Sequence, residues 1–403
     1  MFIGISRFAL FLGLTLCVGA SASAESQLLQ RLVDISSGSE NTAGVDRVQQ
    51  VVAAEVGAMG FQTTLESNPA PGSHTGKMLI ATKKGTDPAY ITLITHADTV
   101  FEKSSGFEGF KVSPDGKTAH GPGVADDKGG LVVALSGLRQ YLATKPTPHY
   151  SLRLLVSPSE ETGTVGFIPD FKRFSRDSVM VLGFEPSVGG AIIDSRRGNR
   201  WYHIHVQGKE AHGADRSGLN ACVELAMKLE RLYQLNDPAS NITVSIGHME
   251  GGKDKYNIVC GEASAKVDSR FADPTSSETL RRQFDSILDA HLVKGRKGLI
   301  ATTTYEIADE SPSFPANEVS RPYVHKYTEL ISAVEKSPCH SRISVGSADS
   351  NYFYRDGLVI MDGLGPEGEG EHTSEERVSM SSLVTRSQAF AQFLTYTDGA
   401  HLQ

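Results

Sequence analysis

Three short runs, Tyr90 to Thr95, Leu152 to Val156 and Val179 to Phe184, are almost unbroken apolar and β-branched sequence. A strand with one wet face alternates apolar and polar residues, so runs of this kind belong to strands covered on both faces. Helical spacing fills the intervals: Leu28, Leu29, Leu32 and Ile35 within 26–36, Val45, Val48, Val52, Val56 and Met59 before Gly60, and Leu131 to Leu142. With a further strand over Met78 to Thr82, the alternation of strands and helices predicts an α/β domain. In such sheets, sites gather outside the carboxyl ends of the strands. His96, the pair Glu160 and Glu161, and Glu185 each stand just past the end of one of these runs.

From about Asn199 the rhythm changes. Strands over Arg200 to Val206, Asn241 to Gly247, Glu262 to Phe271 and Leu299 to Ile307 are interleaved with helices over Asn220 to Gln234 and Ser277 to Leu292. That βαββαβ order describes a self-contained, ferredoxin-like α+β unit inserted into the first domain. The α/β pattern resumes with a helix over Arg321 to Val334, a strand over Leu358 to Met361 and a closing helix over Ser381 to Tyr396. The expected organisation is therefore a catalytic domain in two parts, 25–198 and 313–403, split by a lid or dimerisation domain over 199–312.

The amino terminus reads as an export signal over residues 1–24. Arg7 precedes the apolar run Phe8 to Val18, which is too short to span a membrane, and Ala22-Ser23-Ala24 supplies a small-residue cleavage site. Cleavage after Ala24 and a periplasmic or secreted protein are the expectation. The remaining chain holds 38 basic against 47 acidic residues and has no basic stretch interleaved with aromatics, which argues against a nucleic-acid partner. No later apolar stretch is long enough for a membrane span. Cys222, Cys260 and Cys339 are too few and too scattered for a disulfide framework or a thiolate metal site. They read as buried free thiols, with at most one pair bridged.

Any metal must then be held by imidazole and carboxylate, a donor set that suits zinc or another divalent ion of the first transition row. His96-Ala97-Asp98 places a carboxylate where it can accept the second ring N–H of the histidine and fix its orientation. Asp126 lies in a loop with glycines at 121, 123, 129 and 130, where the backbone can bend to aim a carboxylate. Asp126 or Asp127 could equally cap the helix that follows. Glu185 before Pro186 follows a buried strand, where a carboxylate needs a partner or a metal. His372 closes the glycine-rich segment 363–372. In an extended chain Glu160 and Glu161 would point to opposite sides, so that one could ligate and the other face the space above. No Gly-x-Ser-x-Gly elbow supports a serine hydrolase.

Taken together, His96-Ala97-Asp98, the Gly-Pro-Gly-Val-Ala-Asp-Asp-Lys-Gly-Gly loop, Ser-Glu-Glu-Thr-Gly, Phe-Glu-Pro and His372 resemble, in order and spacing, a family of two-zinc exopeptidases. That family includes the bacterial glutamate carboxypeptidases, succinyl-diaminopimelate desuccinylase and aminoacylases. The resemblance implies a zinc-exopeptidase-like catalytic domain that binds two Zn2+ per chain, with Co2+ or Mn2+ as possible substitutes. His96, Glu185 and Asp126 would hold one ion and His372, Glu161 and Asp126 the other. Glu160 would be the general base, and the Asp126–Asp127 peptide bond would be cis. The loop 208–213 resembles the family's segment in which a histidine, here His212, steadies the oxyanion in a neighbouring subunit, which implies a homodimer. Asn257 and Arg270 match substrate-binding residues. The implied substrate is a small peptide or amino-acid conjugate, with an N-acyl amino acid as the alternative and a non-catalytic binding protein of the same fold as the rival. Ser311 stands where the glutamate carboxypeptidases carry an arginine for the substrate's terminal carboxylate. Preference for C-terminal glutamate therefore does not carry over.

Overall fold

The computed structural model describes residues 23–70, 75–164, 166–400 and 402. The expected signal segment lies almost wholly outside them; at its edge, the side chain of Ser23 caps the first helix, Ala24–Val33.

A six-stranded sheet forms the centre of the first domain, in the order Gln62–Glu66, Met78–Lys83, Tyr150–Ser157, Asp87–His96, Ser178–Gly183 and Val359–Met361. The last four are mutually parallel; the second runs antiparallel to both of its neighbours, so the edge strand returns to the direction of the four. Alternate residues of each inner strand feed two cores. Leu93, Leu154 and Leu182 meet the helices Thr42–Ala58, Lys128–Thr144 and Met380–Thr397, while Ile94, Leu155 and Val181 meet Phe171 of the Ile168–Ser175 helix and Phe353. The long apolar runs follow directly from this two-sided burial. Register sets His96 opposite Ser157 and Ile94 opposite Gly183, so the carboxyl ends of three neighbouring strands open at one level.

Residues 198–311 build a second, antiparallel sheet in the order Thr243–Gly251, Glu262–Phe271, Gly198–Gln207 and Thr302–Ser311. The helices Ala221–Tyr233 and Pro274–Asp289 cover one face, burying Tyr202, Ile204 and Val206 against Leu229, Phe284 and Leu288. The strand order 2-3-1-4 is that of a ferredoxin-like unit, as its sequence order implies. The last strand runs on to Ser311, beyond the Ile307 expected from apolar pattern, because pairing with Gly198–Gln207 continues through Asp309 and Glu310.

Several short elements escape sequence reasoning. The most consequential is a small sheet in which Thr118–His120 pairs with Arg377–Ser379, bringing the loops 121–127 and 370–376 together. The cysteines are also decided here. Cys222 and Cys260, 38 residues apart, form a disulfide, and Cys339 is free and half-buried. The free-thiol expectation thus fails for two of the three, because only sheet pairing, not spacing, shows that the start of one helix lies against the end of a hairpin. Closing that loop constrains the unfolded chain by roughly 3–4 kcal/mol. Among the described residues no helix is long and apolar enough to cross a membrane.

Candidate metal centre

His96 is the last residue of its strand, Glu185 follows the neighbouring strand by two residues, and Glu161 follows the strand on the other side. Glu160 and Glu161 are not extended, contrary to the alternation argument: the strand ends at Ser157, and Glu160–Thr162 is a single 3-10 turn. Asp126 comes from the loop ahead of the Lys128–Thr144 helix, and its peptide bond to Asp127 is cis. Gly123 in that loop has φ +72°, and a Cβ there would lie 2.5 Å from Thr99. Gly129 and Gly130 serve close packing in the first helical turn rather than bending, since a side chain at Gly130 would overlap the Asp127 carboxylate and the Phe184 carbonyl. His372 arrives on the loop 370–376 with φ +62°, a conformation that non-glycine residues rarely hold and that concentrates at functional sites.

These side chains converge on Asp126. His96 Nε2 lies 2.9 Å from Asp126 Oδ1 and 3.8 Å from Glu185 Oε1. His372 Nε2 lies 3.3 Å from Asp126 Oδ2 and 3.1 Å from Glu161 Oε2. Two sets, each of one histidine, one further carboxylate and one oxygen of Asp126, therefore face each other across a single shared carboxylate. Asp127 also reaches the cluster, because one ligand atom each from His96, Asp127 and Glu185 lie within 4.8 Å of one another. It occupies the position ahead of the helix without capping it; instead its Oδ2 accepts the His96 backbone N–H at 3.3 Å.

The electrostatics describe a site with too many acids for the cations the protein itself supplies. Burial, then the Glu185 charge, raises the Glu160 carboxyl well above its ordinary range. Burial, then Asp126, pushes Glu185 up to about 8. Hydrogen bonds to Asp126 and Glu161 raise His372 to about 10. For His96, burial favours the neutral ring, but the carboxylates of Asp126, Asp98 and Glu185 outweigh it and hold the pKa well above 6.5. Asp126 moves the other way, its burial being outweighed by the hydrogen bonds from His372 and His96. Buried carboxylates that hold protons because of one another are relieved by a bound cation, so the donor set and its charge fit a metal cluster. Glu160 differs from the others: among the described residues its carboxylate takes no hydrogen bond and no ion pair.

Asp98 carries more than its expected role. His96 Nδ1 lies 3.3 Å from its Oδ1 and 3.1 Å from its carbonyl oxygen. The same carboxylate accepts the backbone N–H groups of Glu160 at 3.0 Å and Glu161 at 3.2 Å, and the Ser39 hydroxyl at 2.7 Å. It thus fixes the turn bearing both acids relative to the histidine.

Glu376 escaped the sequence reading, which had no reason to separate it from the solvated acids around it. It is fully buried, and its carboxylate accepts the backbone N–H groups of Gly123 at 3.0 Å, Ala125 at 2.9 Å and Asp126 at 3.0 Å. Burial raises its pKa to about 7, against these three donors. Glu376→Gln would set an amide NH2 against backbone N–H groups and release the loop that aims Asp126. Metal affinity is expected to fall roughly 10- to 100-fold, as for other partners of ligand-bearing groups. Dialysis against graded chelator followed by metal analysis measures this, and an affinity equal to wild type would exclude the role.

The lid residues stand apart. His212 and Asn257 meet each other, with Asn257 Nδ2 3.4 Å from His212 Nε2, and Arg270 pairs with Asp268 at 3.0 Å. Among the described residues no hydrogen bond or ion pair joins these three to the metal cluster. Ser311 is buried beside Tyr352, and Asp309 approaches the Glu160–Thr162 turn, its Oδ1 lying 3.4 Å from where a Cβ on Gly163 would be. On the lid sheet, away from the cluster, the rings of His203 and His205 pack 4.1 Å apart, and Glu306 on the adjoining strand lies 3.2 Å from His203 Nδ1.

A split α/β domain whose strand ends converge on a two-histidine, multi-carboxylate cluster defines the class of metal-dependent amide hydrolases. Within that class, residues 92–396 match Peptidase family M20/M25/M40, and the chain belongs to that family, one of metallopeptidases and amidohydrolases. Carboxypeptidase G2 from a Pseudomonas species is 25% identical over 366 residues, which cover 89% of this chain and 85% of that protein. Succinyl-diaminopimelate desuccinylase from Marinobacter nauticus is 25% identical, with 83% of this chain and 92% of that protein covered. Among solved structures, a Bacillus subtilis protein described as a dinuclear metal-binding peptidase of the M20 family superposes with a TM-score of 0.63 at 14% identity, over 94% of this chain and 98% of that one.

Proposed function

We propose that this protein is a two-zinc exopeptidase that hydrolyses amide bonds of small peptides or amino-acid conjugates outside the cytoplasm, acting as a homodimer. The observation that carries the reading is the convergence of His96, Glu185, His372 and Glu161 on the two oxygens of Asp126, with the unpaired Glu160 beside them. Two divalent ions held there would polarise the scissile carbonyl and acidify the attacking water. Zinc suits this oxygen and imidazole set, and Co2+ or Mn2+ could replace it. The similarity to a dinuclear peptidase supports the count of two.

The chain's own groups do the rest. Glu160, free of partners and with raised proton affinity, accepts the proton of the attacking water and passes it to the leaving nitrogen. Asp98 holds Glu160, Glu161 and His96 in register. Asn257 and Arg270 bind substrate from the lid, and the partner subunit's His212 donates to the developing oxyanion once the lid closes. Export is supported by the apolar segment after Arg7 and by the Cys222–Cys260 bridge, which suits an oxidising compartment. An exported chain that still begins at Met1 would refute cleavage after Ala24.

The similarity to succinyl-diaminopimelate desuccinylase keeps a deacylase as the second reading. Ser311, flanked by Asp309 and by Glu310, which pairs with Arg200, argues against a preference for C-terminal glutamate. Kinetics on zinc-loaded protein with dipeptides, C-terminal glutamate conjugates and N-acyl amino acids separates the two. Dipeptides are expected to turn over fastest. Activity confined to the acyl compounds would overturn the peptidase reading, and none on any member would overturn hydrolysis itself.

A further inference from the structure

The strand-end cluster accounts for the ligands, but it leaves the bridge between Cys222 and Cys260 without a role. Cys222 is the second residue of the Ala221–Tyr233 helix, and Cys260 lies just ahead of the Glu262–Phe271 strand. Around the bridge, two segments form a short antiparallel ribbon. Gly208 N–H donates to the Gly261 carbonyl at 2.7 Å, Val259 N–H to Ala211 at 2.8 Å and Gly213 N–H to Asn257 at 2.7 Å, so His212 comes to lie beside Ile258. At its tip the side chains of His212 and Asn257 meet.

The base of this ribbon is fixed by the Lys209–Leu219 backbone pair and by the Gly252 N–H on the Glu262 carbonyl, and the exposed Lys253–Glu210 ion pair spans its two segments, but its tip has no core. Residues 212–216 and 251–257 are exposed, and Tyr256 is entirely so. Cys260 is the one buried residue between Gly251 and Gly261, and the Ala221 N–H donates to its carbonyl at 2.9 Å. The hairpin turn closes over the sulfurs as well, because a Cβ on Gly251 would lie 3.0 Å from Cys222 Sγ. A segment without a core of its own is ordered by whatever tether it has; here that tether is covalent.

We propose that the Cys222–Cys260 disulfide is a positioning element for substrate turnover, holding the ribbon in the shape that presents His212 and Asn257 together. This rests on the reading in which those two residues serve the substrate. Without the bridge the ribbon stays attached by its backbone hydrogen bonds, but its tip samples positions in which the two side chains separate. Small displacements of this kind cost catalysis far more than they cost folding.

The test compares zinc-loaded wild type with Cys222→Ala/Cys260→Ala, each with and without His212→Ala, on the fastest member of the substrate panel. Loss of the bridge should lower kcat/KM roughly 10- to 100-fold with metal content unchanged. His212→Ala should then cost much less in the bridge-free protein than in the bridged one, because the two changes remove the same contribution. Unchanged kcat/KM, or an equal His212→Ala cost in both backgrounds, overturns the proposal. Should the double variant not fold, reduction of folded wild type with a phosphine, followed by thiol titration, gives the same comparison. Should the bridged wild type turn over nothing, the hydrolase reading fails on that result alone. The positioning claim is then read from the His212 ring proton resonance, assigned with His212→Ala. It should shift on reduction, and a resonance that does not move overturns the claim.

Discussion

Glu160→Ala lowers turnover by about a thousandfold, within the range a positioned acid–base group contributes, while metal content stays at about two ions per chain. The split between the two readouts follows from where Glu160 sits. Its backbone N–H is bound by Asp98, so the turn keeps its place when the side chain is truncated. Its carboxylate makes no contact with His96, His372, Asp126, Glu161 or Glu185 that holds any of them, so no ligand loses a partner. What disappears is a carboxyl beside the cluster that no hydrogen bond or ion pair among the described residues ties down and that can take up and release a proton. Metal analysis and steady-state kinetics on the same preparation check this; wild-type turnover would remove Glu160 from the mechanism, and lost metal would make it a ligand.

How much of this was legible in the sequence depends on how local each cause is. The buried parallel strands could be read because burial on two faces writes itself into consecutive residues such as Leu93 with Ile94 and Leu154 with Leu155. His96 and Glu185 could be placed because they follow those strands directly. The orientation of Glu160 and Glu161 was misjudged because apolar pattern does not say where a strand stops, and Pro158 and Ser159 lead the chain into a turn. Glu376 was out of reach for a different reason: its partners lie some 250 positions away, and the sheet that brings them together is only three residues long on each side. The same holds for His203 with Glu306, whose meeting is set by strand register, and for Cys222 with Cys260, where a helix start meets a loop through the Ala221 N–H on the Cys260 carbonyl. Asp127 shows the limit most plainly. A residue type and position that argue for a helix cap turn out to steady the backbone of a ligand, because the loop ahead of it approaches the neighbouring strand.

Asp126→Ala should empty both metal positions, whereas Glu185→Ala should leave about one ion per chain. The difference comes from sharing. Glu185 faces only the His96 side of the cluster and Glu161 only the His372 side, but Asp126 presents Oδ1 to one and Oδ2 to the other. Truncating it leaves the His372 set with one imidazole and one carboxylate, and the His96 set with Glu185 and an Asp127 whose Oδ2 is already taken by the His96 backbone N–H, short of the three or four protein donors a stable zinc site needs. The loop itself should survive, because Glu376 still holds the N–H groups of Gly123 and Ala125, which leaves the fold close to wild type. Extensive dialysis against metal-free buffer, metal analysis and circular dichroism on wild type and both variants make the comparison. If Asp126→Ala retained two ions, the shared carboxylate would be lost as the organising group, and with it the reason that two histidines, one at a strand end and one on the loop 370–376, serve one reaction.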